Sequence, residues 1–506
     1  MRVAIADVGT NSSHLIIAEF DRDAILSAPR YQIVDSLRDQ TRLGEHLEDG
    51  RLSEEGYERL RLAMERIRDL AAANRVTDTL VYATSALREA SNGRAVVERI
   101  RADTQVPIEI ISGEREGELT YLGAAGSLPF HGPTLLLDLG GGSLELVKGS
   151  SDQVERAISL PVGVVRLRDS FLLRDPPSKK MRGALQEHLA QAVSPHLSGL
   201  MADDPKLIGS SGTFESLASM LAERKGLAIR SVNGFRIERQ ALAQLTSQLG
   251  RMPLSRRLRL AGLDPKRADI IIAGSEIALK LLELSGRSEV TVSTGALREG
   301  MLIDYLRSQV KQVSSLSSRE LGVLELAERL QVDLAHGQRV AALASQLLER
   351  LRPFHPFPED AGELLAAAAA LHEAGLIISP RAHHKHSLYL IQHAGLRGFS
   401  HDQVDLIANV ARYHRRGTPK SSHPAFAALD KGSQELVGKL SAILRVADGL
   451  DRSHQQSAHL VQLLPEEGGY QLILEGGSDL DIWGAEEKSD LWKKYFGALR
   501  IVRLGD

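Results

Sequence analysis

Asp138-Leu139-Gly140-Gly141-Gly142-Ser143 lies between two apolar runs, residues 134–137 and 144–147. An earlier stretch, Asp7-Val8-Gly9-Thr10-Asn11-Ser12, lies in the same way between residues 3–6 and 14–18. In both, a Gly follows the Asp by two positions and a Ser by five. One Asp-x-Gly turn is a common structural turn, and a pair of plain turns is the bland reading of both. Two copies, each flanked by strands, predict instead a duplicated domain with two phosphate-holding hairpins facing each other across a cleft. Glycine lets the backbone approach an anion and point several N–H groups at it, and Ser or Thr adds a hydroxyl donor. An Asp at a strand end can hold a hydrated divalent cation against the same phosphates.

The rest of the chain sets bounds on that reading. At 506 residues it is long for one core, and three or four domains are expected. A hydrophobic share of 43% and a charged share of 25% are ordinary for a globular protein. The net charge of −3 supplies no global cationic field, so a polyanion must be met by local basic patches, and DNA is not an expected partner. With no cysteine, disulfides, thiolate chemistry and Cys-based zinc sites are excluded. The first residues enter a strand without a basic region and apolar stretch, and the apolar run 364–371 is too short to cross a bilayer. No signal peptide and no membrane partner are expected, and a cytoplasmic protein is the simplest reading.

Residues 1–130 read as one α/β lobe, with strands at 3–6, 14–19 and 31–37 and a helix from 53 to about 74. Ser53 is its N-cap, and Glu55 and Glu58 lie near its positive end. A buried strand at 79–83 leads into Thr84-Ser85-Ala86-Leu87-Arg88-Glu89, and one at 108–111 leads into Ser112-Gly113-Glu114-Arg115-Glu116. Both look like helix starts, the second capped by Ser112. Residues 131–312 repeat the theme. The strand at 207–208 runs into Gly209-Ser210-Ser211-Gly212-Thr213 and a helix, 270–284 is helical, and a strand at 290–293 runs into Thr294-Gly295-Ala296-Leu297-Arg298-Glu299-Gly300. Residues 313–459 open on a Ser-rich linker, 313–318, and continue in Ala/Leu-rich helices such as 337–351 and 361–371. Residues 460–506 read as a small α/β tail. It has a hairpin around Glu466-Glu467-Gly468-Gly469, a helix near 486–495 and a strand at 499–504.

Beyond the hairpins, the turn Gly209, Ser210, Ser211, Gly212, Thr213 opens a helix, where amides and dipole favour an anion; a plain helix cap is the bland alternative. Glu116 and Arg88 each begin a helix just after a buried strand, at the end of a sheet where α/β sites collect. Phosphoanhydride hydrolysis needs a base to orient water, a cation, and a positive group on the transferring phosphoryl. Glu116 suits the first task and Arg88 the third, against the alternative of solvated charges at helix starts. Glu114 and Glu118 compete for the role of base. Glu145, seven positions after Asp138, can join it at a metal. His336, His372, Glu373, His383, His384, His386, His414 and Asp448 follow in the order of a di-metal hydrolase. That order resembles HD-type phosphohydrolases, but Glu373 stands where an Asp is expected, and one more methylene would displace a metal. Arg412, His414, Arg415, Arg416 and Lys420 form a basic run, either a guide for a polyanion or a solvated face.

With these residues in place, the chain resembles the exopolyphosphatase / guanosine pentaphosphate phosphohydrolase family. The resemblance runs in order through residues 7–12, 84–89, 111–116, 138–145, 209–213 and 293–300, and from about 315 through a degenerate HD-like region. It implies an α/β fold of duplicated actin-like, ribonuclease-H-like lobes with a cleft between them, followed by an all-α HD-like domain and a small α/β tail. It implies Glu116 as base, Arg88 as phosphate ligand, Asp138 and Glu145 near Mg2+ (or Mn2+), and both hairpins as phosphate loops. It also suggests a homodimer. Two departures stand out: Arg115 replaces an acidic residue beside the base, where it could contact phosphate or depress the Glu116 pKa, and Leu144 takes a place often held by Thr or Val. Asp448 and Asp451 are closer to a working HD domain than in the degenerate relatives, which keeps a second metal site with His336, His372 and Glu373 as a minority reading. The function implied is release of orthophosphate from the ends of inorganic polyphosphate. The alternatives are hydrolysis of guanosine pentaphosphate, a small-molecule kinase, and a sensor without turnover.

Overall fold

Each Asp-x-Gly stretch is the tip of an antiparallel hairpin in the computed structural model, which describes residues 1–20, 31–227, 229–309, 316–415 and 417–504. The linker positions 313–315 and Arg416 lie outside the described residues. The strand Arg2–Val8 pairs with Ser13–Glu19, and Asp7 stands opposite His14. The strand Pro133–Leu139 pairs with Leu144–Ser150 in the same register, and Asp138 stands opposite Glu145. The tips close alike: the Gly9 N–H donates to the Ser12 carbonyl and the Gly140 N–H to the Ser143 carbonyl, both at 3.0 Å.

The sheets built on the hairpins share an order. Gln32–Asp39 extends the first and Gln153–Leu160 the second, and Asp78–Ala83 and Lys206–Ser210 lie parallel on the other side of each first strand. Ile108–Ile110 ends the first sheet; Glu289–Val292 takes that place in the second, which adds an antiparallel edge, Arg236–Glu238. This repeat is the duplication that the paired motifs predict. Neither Gln153–Leu160 nor Arg236–Glu238 follows from the sequence reading, because most of their residues are exposed or half-buried and leave little apolar alternation to read.

Two helices cross between the sheets. The helix Gly113–Ser127 follows the first sheet's last strand, yet its Tyr121, Ala124 and Ala125 share a core with Leu136, Val147 and Ile208 of the second. The helix Leu297–Gln309 follows the second sheet, yet its Met301, Leu302 and Leu306 pack on Val3, Ile5 and Ile16 of the first. Met1–Ser318 accordingly forms one compact unit.

Arg319–Asp506 is the second unit. Its helices include Leu334–Leu351, Ala361–Leu371 and Lys431–Gly449, the Ala/Leu-rich character serving close helix packing. A three-stranded sheet, Ala458–Glu466, Gly469–Gly476 and Ala498–Arg503, contributes Leu460, Leu472 and Leu474 to the same core as Val340, Leu365 and Ile443. Where the sequence predicts one helix near 486–495, two stand: Asp479–Glu487 and Asp490–Phe496. Ser478 and Asp481 form a capping box that starts the first of them early, and the chain turns at Lys488 before the second buries Leu491 and Trp492. Among the described residues no helix is long and apolar enough to cross a membrane.

Candidate functional site

The two hairpin tips touch. A Cβ on Gly142 would lie 2.3 Å from Ser85 Oγ and 2.6 Å from Thr10 Oγ1, so only glycine allows this approach. Both tips line one cleft of about 450 Å3, with Asp7, Gly9, Thr10, Asn11 and Ser12 from the first and Asp138, Gly140, Gly141, Gly142 and Ser143 from the second. The carbonyls of Gly140 and Gly141 accept from the Val164 and Val165 amides at the start of the helix Val164–Phe171. The carbonyl side of that tip is thereby committed to the protein.

Of the turn at 209–213, Ser211, Gly212 and Thr213 line the cleft at the start of the helix Gly212–Arg224. Gly209 and Ser210 are not among the lining residues. Ser210 is fully buried and its hydroxyl donates to the Gly295 carbonyl at 3.1 Å, while the Phe214 ring fills the space beside Gly209. Packing of strand against helix, not anion contact, accounts for these two.

Glu116 lines the cleft and is buried. Its rivals are not in the cleft lining: Glu114 is exposed, and Glu118 pairs with Arg115 at 3.3 Å. Arg115 also pairs with Asp304 at 2.5 Å, is not among the residues that line the cleft, and is not a leading influence on the Glu116 carboxyl. Arg88 stands behind the lining. It donates from Nη1 to Glu116 Oε2 at 2.7 Å and to the Ile111 carbonyl at 3.2 Å, which makes it a partner of Glu116. Burial raises the Glu116 pKa, and the Arg88 charge works against that rise.

Asp138 and Glu145 meet across their strand pair. Burial, then the charges of Glu116 and Asp7, push Asp138 up to about 7. Burial and the charges of Glu116 and Asp138 push Glu145 well above the carboxylate range. Glu145 Oε1 accepts from Ser159 Oγ at 2.8 Å, but its buried Oε2 has no partner. Asp7 rises to about 6 by burial, opposed by Arg298 at 3.5 Å. Enclosed carboxylates that raise one another's pKa, one with an orphaned oxygen, fit a hard divalent cation bound by oxygen donors.

Arg38, Arg267 and Arg298 line the cleft too, and sequence reasoning gave none of them a role. No motif marks Arg38 or Arg267; Arg298 lay inside a quoted stretch. The Arg267 guanidinium occupies the space a Cβ on Gly212 would take, 2.0 Å from its Nη2. Burial and the same arginines hold His14 at about 2, so its imidazole is neutral, with Nε2 2.9 Å from Ser12 Oγ.

In the second unit, His336, His372 and Glu373 place one ligand atom each within 4.8 Å of one another, and Asp448 lies beside both histidines. The basic run near 412–420 is not one solvated face, because His414 is buried and Arg412 lies over the Tyr413 ring.

The model of the Ppx/GppA phosphatase family matches residues 20–309, and that of Ppx/GppA phosphatase domain III matches residues 318–480. A "Guanosine-5'-triphosphate,3'-diphosphate pyrophosphatase" of Vibrio vulnificus (strain YJ016) is 30% identical over 473 residues, 92% of this chain and 90% of that protein. An "Exopolyphosphatase 1" of Mycobacterium tuberculosis (strain ATCC 25618 / H37Rv) is 31% identical over 326 residues, 63% of this chain and 92% of that protein. The crystal structure of an exopolyphosphatase from Cytophaga hutchinsonii ATCC 33406 superposes with a TM-score of 0.56 at 28% identity, covering 62% of this chain and 100% of that one. With both units matched and the paired hairpins around one cleft, the chain belongs to the Ppx/GppA phosphatase family.

Proposed function

We propose that the cleft releases orthophosphate from the ends of linear inorganic polyphosphate by attack of water on the terminal phosphoryl group. The observation that carries this reading is the lining. Beyond the carboxylates and hairpin tips it presents Arg38, Arg267 and Arg298, and among the described residues no Phe, Tyr or Trp lines it, His14 being its one aromatic ring. A repeating polyanion is held by cations along its length, whereas a guanine base is held by a flat apolar or aromatic face.

In this reading the hydroxyls of Thr10, Ser143 and Thr213 and the amides of the tips hold the terminal phosphoryl, and the start of the helix Gly212–Arg224 favours its charge. Glu116 takes the proton of the attacking water, and the bond to the bridging oxygen breaks in line with that attack. Arg88 keeps Glu116 aimed and ionised. Asp138 and Glu145, with Asp7 opposite, hold Mg2+ (or Mn2+), which when bound neutralises charge on the phosphoryl oxygens. A cytoplasmic setting and a homodimer belong to the same reading, and light scattering on the eluted peak checks the second.

One observation favours a second substrate. The Vibrio vulnificus relative, named for guanosine-5'-triphosphate,3'-diphosphate, aligns over both units of this chain. Phosphate release with Mg2+ should therefore be measured in parallel from long-chain polyphosphate and guanosine pentaphosphate, with Glu116→Gln as control. Polyphosphate turnover that falls on the order of 10²–10⁴-fold in the variant supports the main reading. Turnover of the nucleotide alone moves the chain to the second, and binding without turnover makes it a sensor. Release without an acceptor hydroxyl rules out a kinase.

A further inference from the structure

We propose that the second unit binds one divalent transition-metal ion through His336 Nε2, His372 Nε2, Asp448 Oδ1 and the Glu373 carboxylate. His336 is 3% and His372 1% exposed, and the Nε2 of each has no hydrogen-bond partner. A buried ring nitrogen is rarely left so. The other nitrogen of each ring is engaged with an acceptor: His336 Nδ1 lies 2.7 Å from Asp451 Oδ2, and His372 Nδ1 lies 2.6 Å from the Ala369 carbonyl. Acceptors at Nδ1 hold a ring proton there and leave Nε2 as the ring atom offered to an ion, as the supporting groups of metal-bound imidazoles do.

The two Nε2 atoms converge on one carboxylate oxygen. Asp448 Oδ1 is 3.7 Å from His336 Nε2 and 3.7 Å from His372 Nε2. That is too long for a hydrogen bond, but near the ~3.4 Å between two atoms that each lie ~2.1 Å from one tetrahedral ion. Lys488 donates to the other oxygen, Oδ2, at 2.6 Å and so leaves Oδ1 for the histidines. Glu373 also reaches: its ligand atom lies within 4.8 Å of those of both histidines, so the extra methylene does not remove it from the cluster. Of the four proposed ligands, Glu373 and Asp448 line a cavity of about 150 Å3 that also presents Arg415, Arg452 and Lys488, while His336 and His372 lie behind its lining.

The donors decide the class of ion. Two imidazoles with carboxylates suit Zn2+, Co2+, Fe2+ or Mn2+, whereas the all-oxygen set of the first unit suits Mg2+. Excess Mg2+ therefore separates the two sites. The full chain, stripped by chelator and held in excess Mg2+, should be titrated with Co2+ while the visible spectrum is recorded. One equivalent should bind with the absorption of a nitrogen-ligated, low-coordinate ion. Asp448→Asn and His372→Gln should abolish that absorption, and Asp451→Asn, at the residue whose Oδ2 holds the outer nitrogen of His336 and whose Oδ1 accepts from the Gln456 amide, should weaken binding 10–100-fold. Circular dichroism checks that each variant is folded, and the wild-type spectrum alone decides the donor set where one is not. If wild-type protein in excess Mg2+ gives no such spectrum, or if folded Asp448→Asn and His372→Gln keep it, the proposal is overturned. The cluster is then a buried His336–Asp448–Asp451 ion pair.

Discussion

Arg88 and Glu116 form a pair whose side chains are 21% and 10% exposed, so water screens them little. Removing one partner of such a pair costs ~3–5 kcal/mol because the other charge stays buried. Arg88→Met should destabilise the first unit by roughly that amount in urea. Arg88 lowers the Glu116 pKa, so its loss should also move the acid limb of the pH–rate profile to higher pH. An unmoved limb would mean that Glu116 is not the titrating base. Asp138 offers a second prediction. With its pKa raised from 3.8 to about 7, it holds a proton in the metal-free protein below that pH. The stability it contributes is present below the unfolded value and lost as pH rises through about 7, where the ionised group needs a cation. Apparent Mg2+ affinity should therefore weaken as pH falls below 7, by up to roughly tenfold per pH unit for one displaced proton. Calorimetric titration at several pH values checks this, and a flat profile would remove Asp138 from the metal site.

Among the elements, the helices Gly113–Ser127 and Leu297–Gln309 hold the two sheets together, and glycines set how close they come. A Cβ on Gly300 would lie 1.7 Å from the Leu119 carbonyl oxygen, and one on Gly123 would lie 2.0 Å from that of Ala296. In an exposed helix, Gly→Ala stabilises by ~1 kcal/mol. Here backbone meets backbone and neither side can yield cheaply, so Gly300→Ala should destabilise by ~1–3 kcal/mol in denaturant. A stabilised variant would show that the helices separate easily. The starts of elements were legible. Ser53 and Ser112 accept from the amides of Gly56 and Arg115, as their positions before apolar-periodic runs suggest. Which sheet a helix packs on was not legible, because periodicity marks an apolar face and says nothing of its partner.

At the scale of the molecule, the units carry separate cores, and both tryptophans, Trp483 and Trp492, lie in the second. Tryptophan fluorescence therefore reports unfolding of that unit, while far-UV circular dichroism reports both. Mg2+ with phosphate, bound in the first unit's cleft, should shift the circular dichroism transition upward and leave the fluorescence transition in place. Co2+ at the histidine cluster should shift the fluorescence transition upward, together with the second unit's share of the circular dichroism change. If Mg2+ moved both transitions together, the units would unfold as one.

The duplicated hairpins, the α/β class and the glycine, serine and carboxylate content of the cleft were readable from order and spacing alone, because turns and strands are dictated by near neighbours in sequence. Long-range charge placement was not. Arg38, Arg267 and Arg298 come from separate elements and have no spacing to betray them, yet they line the cleft. Arg88 is read from sequence as a phosphate ligand, and only folding shows it bound to Glu116, 28 positions away. The histidine order hinted at a metal. The buried Nε2 atoms of His336 and His372 come to face one oxygen of Asp448 only once three helices have packed, because burial and orientation are properties of the core and not of the chain.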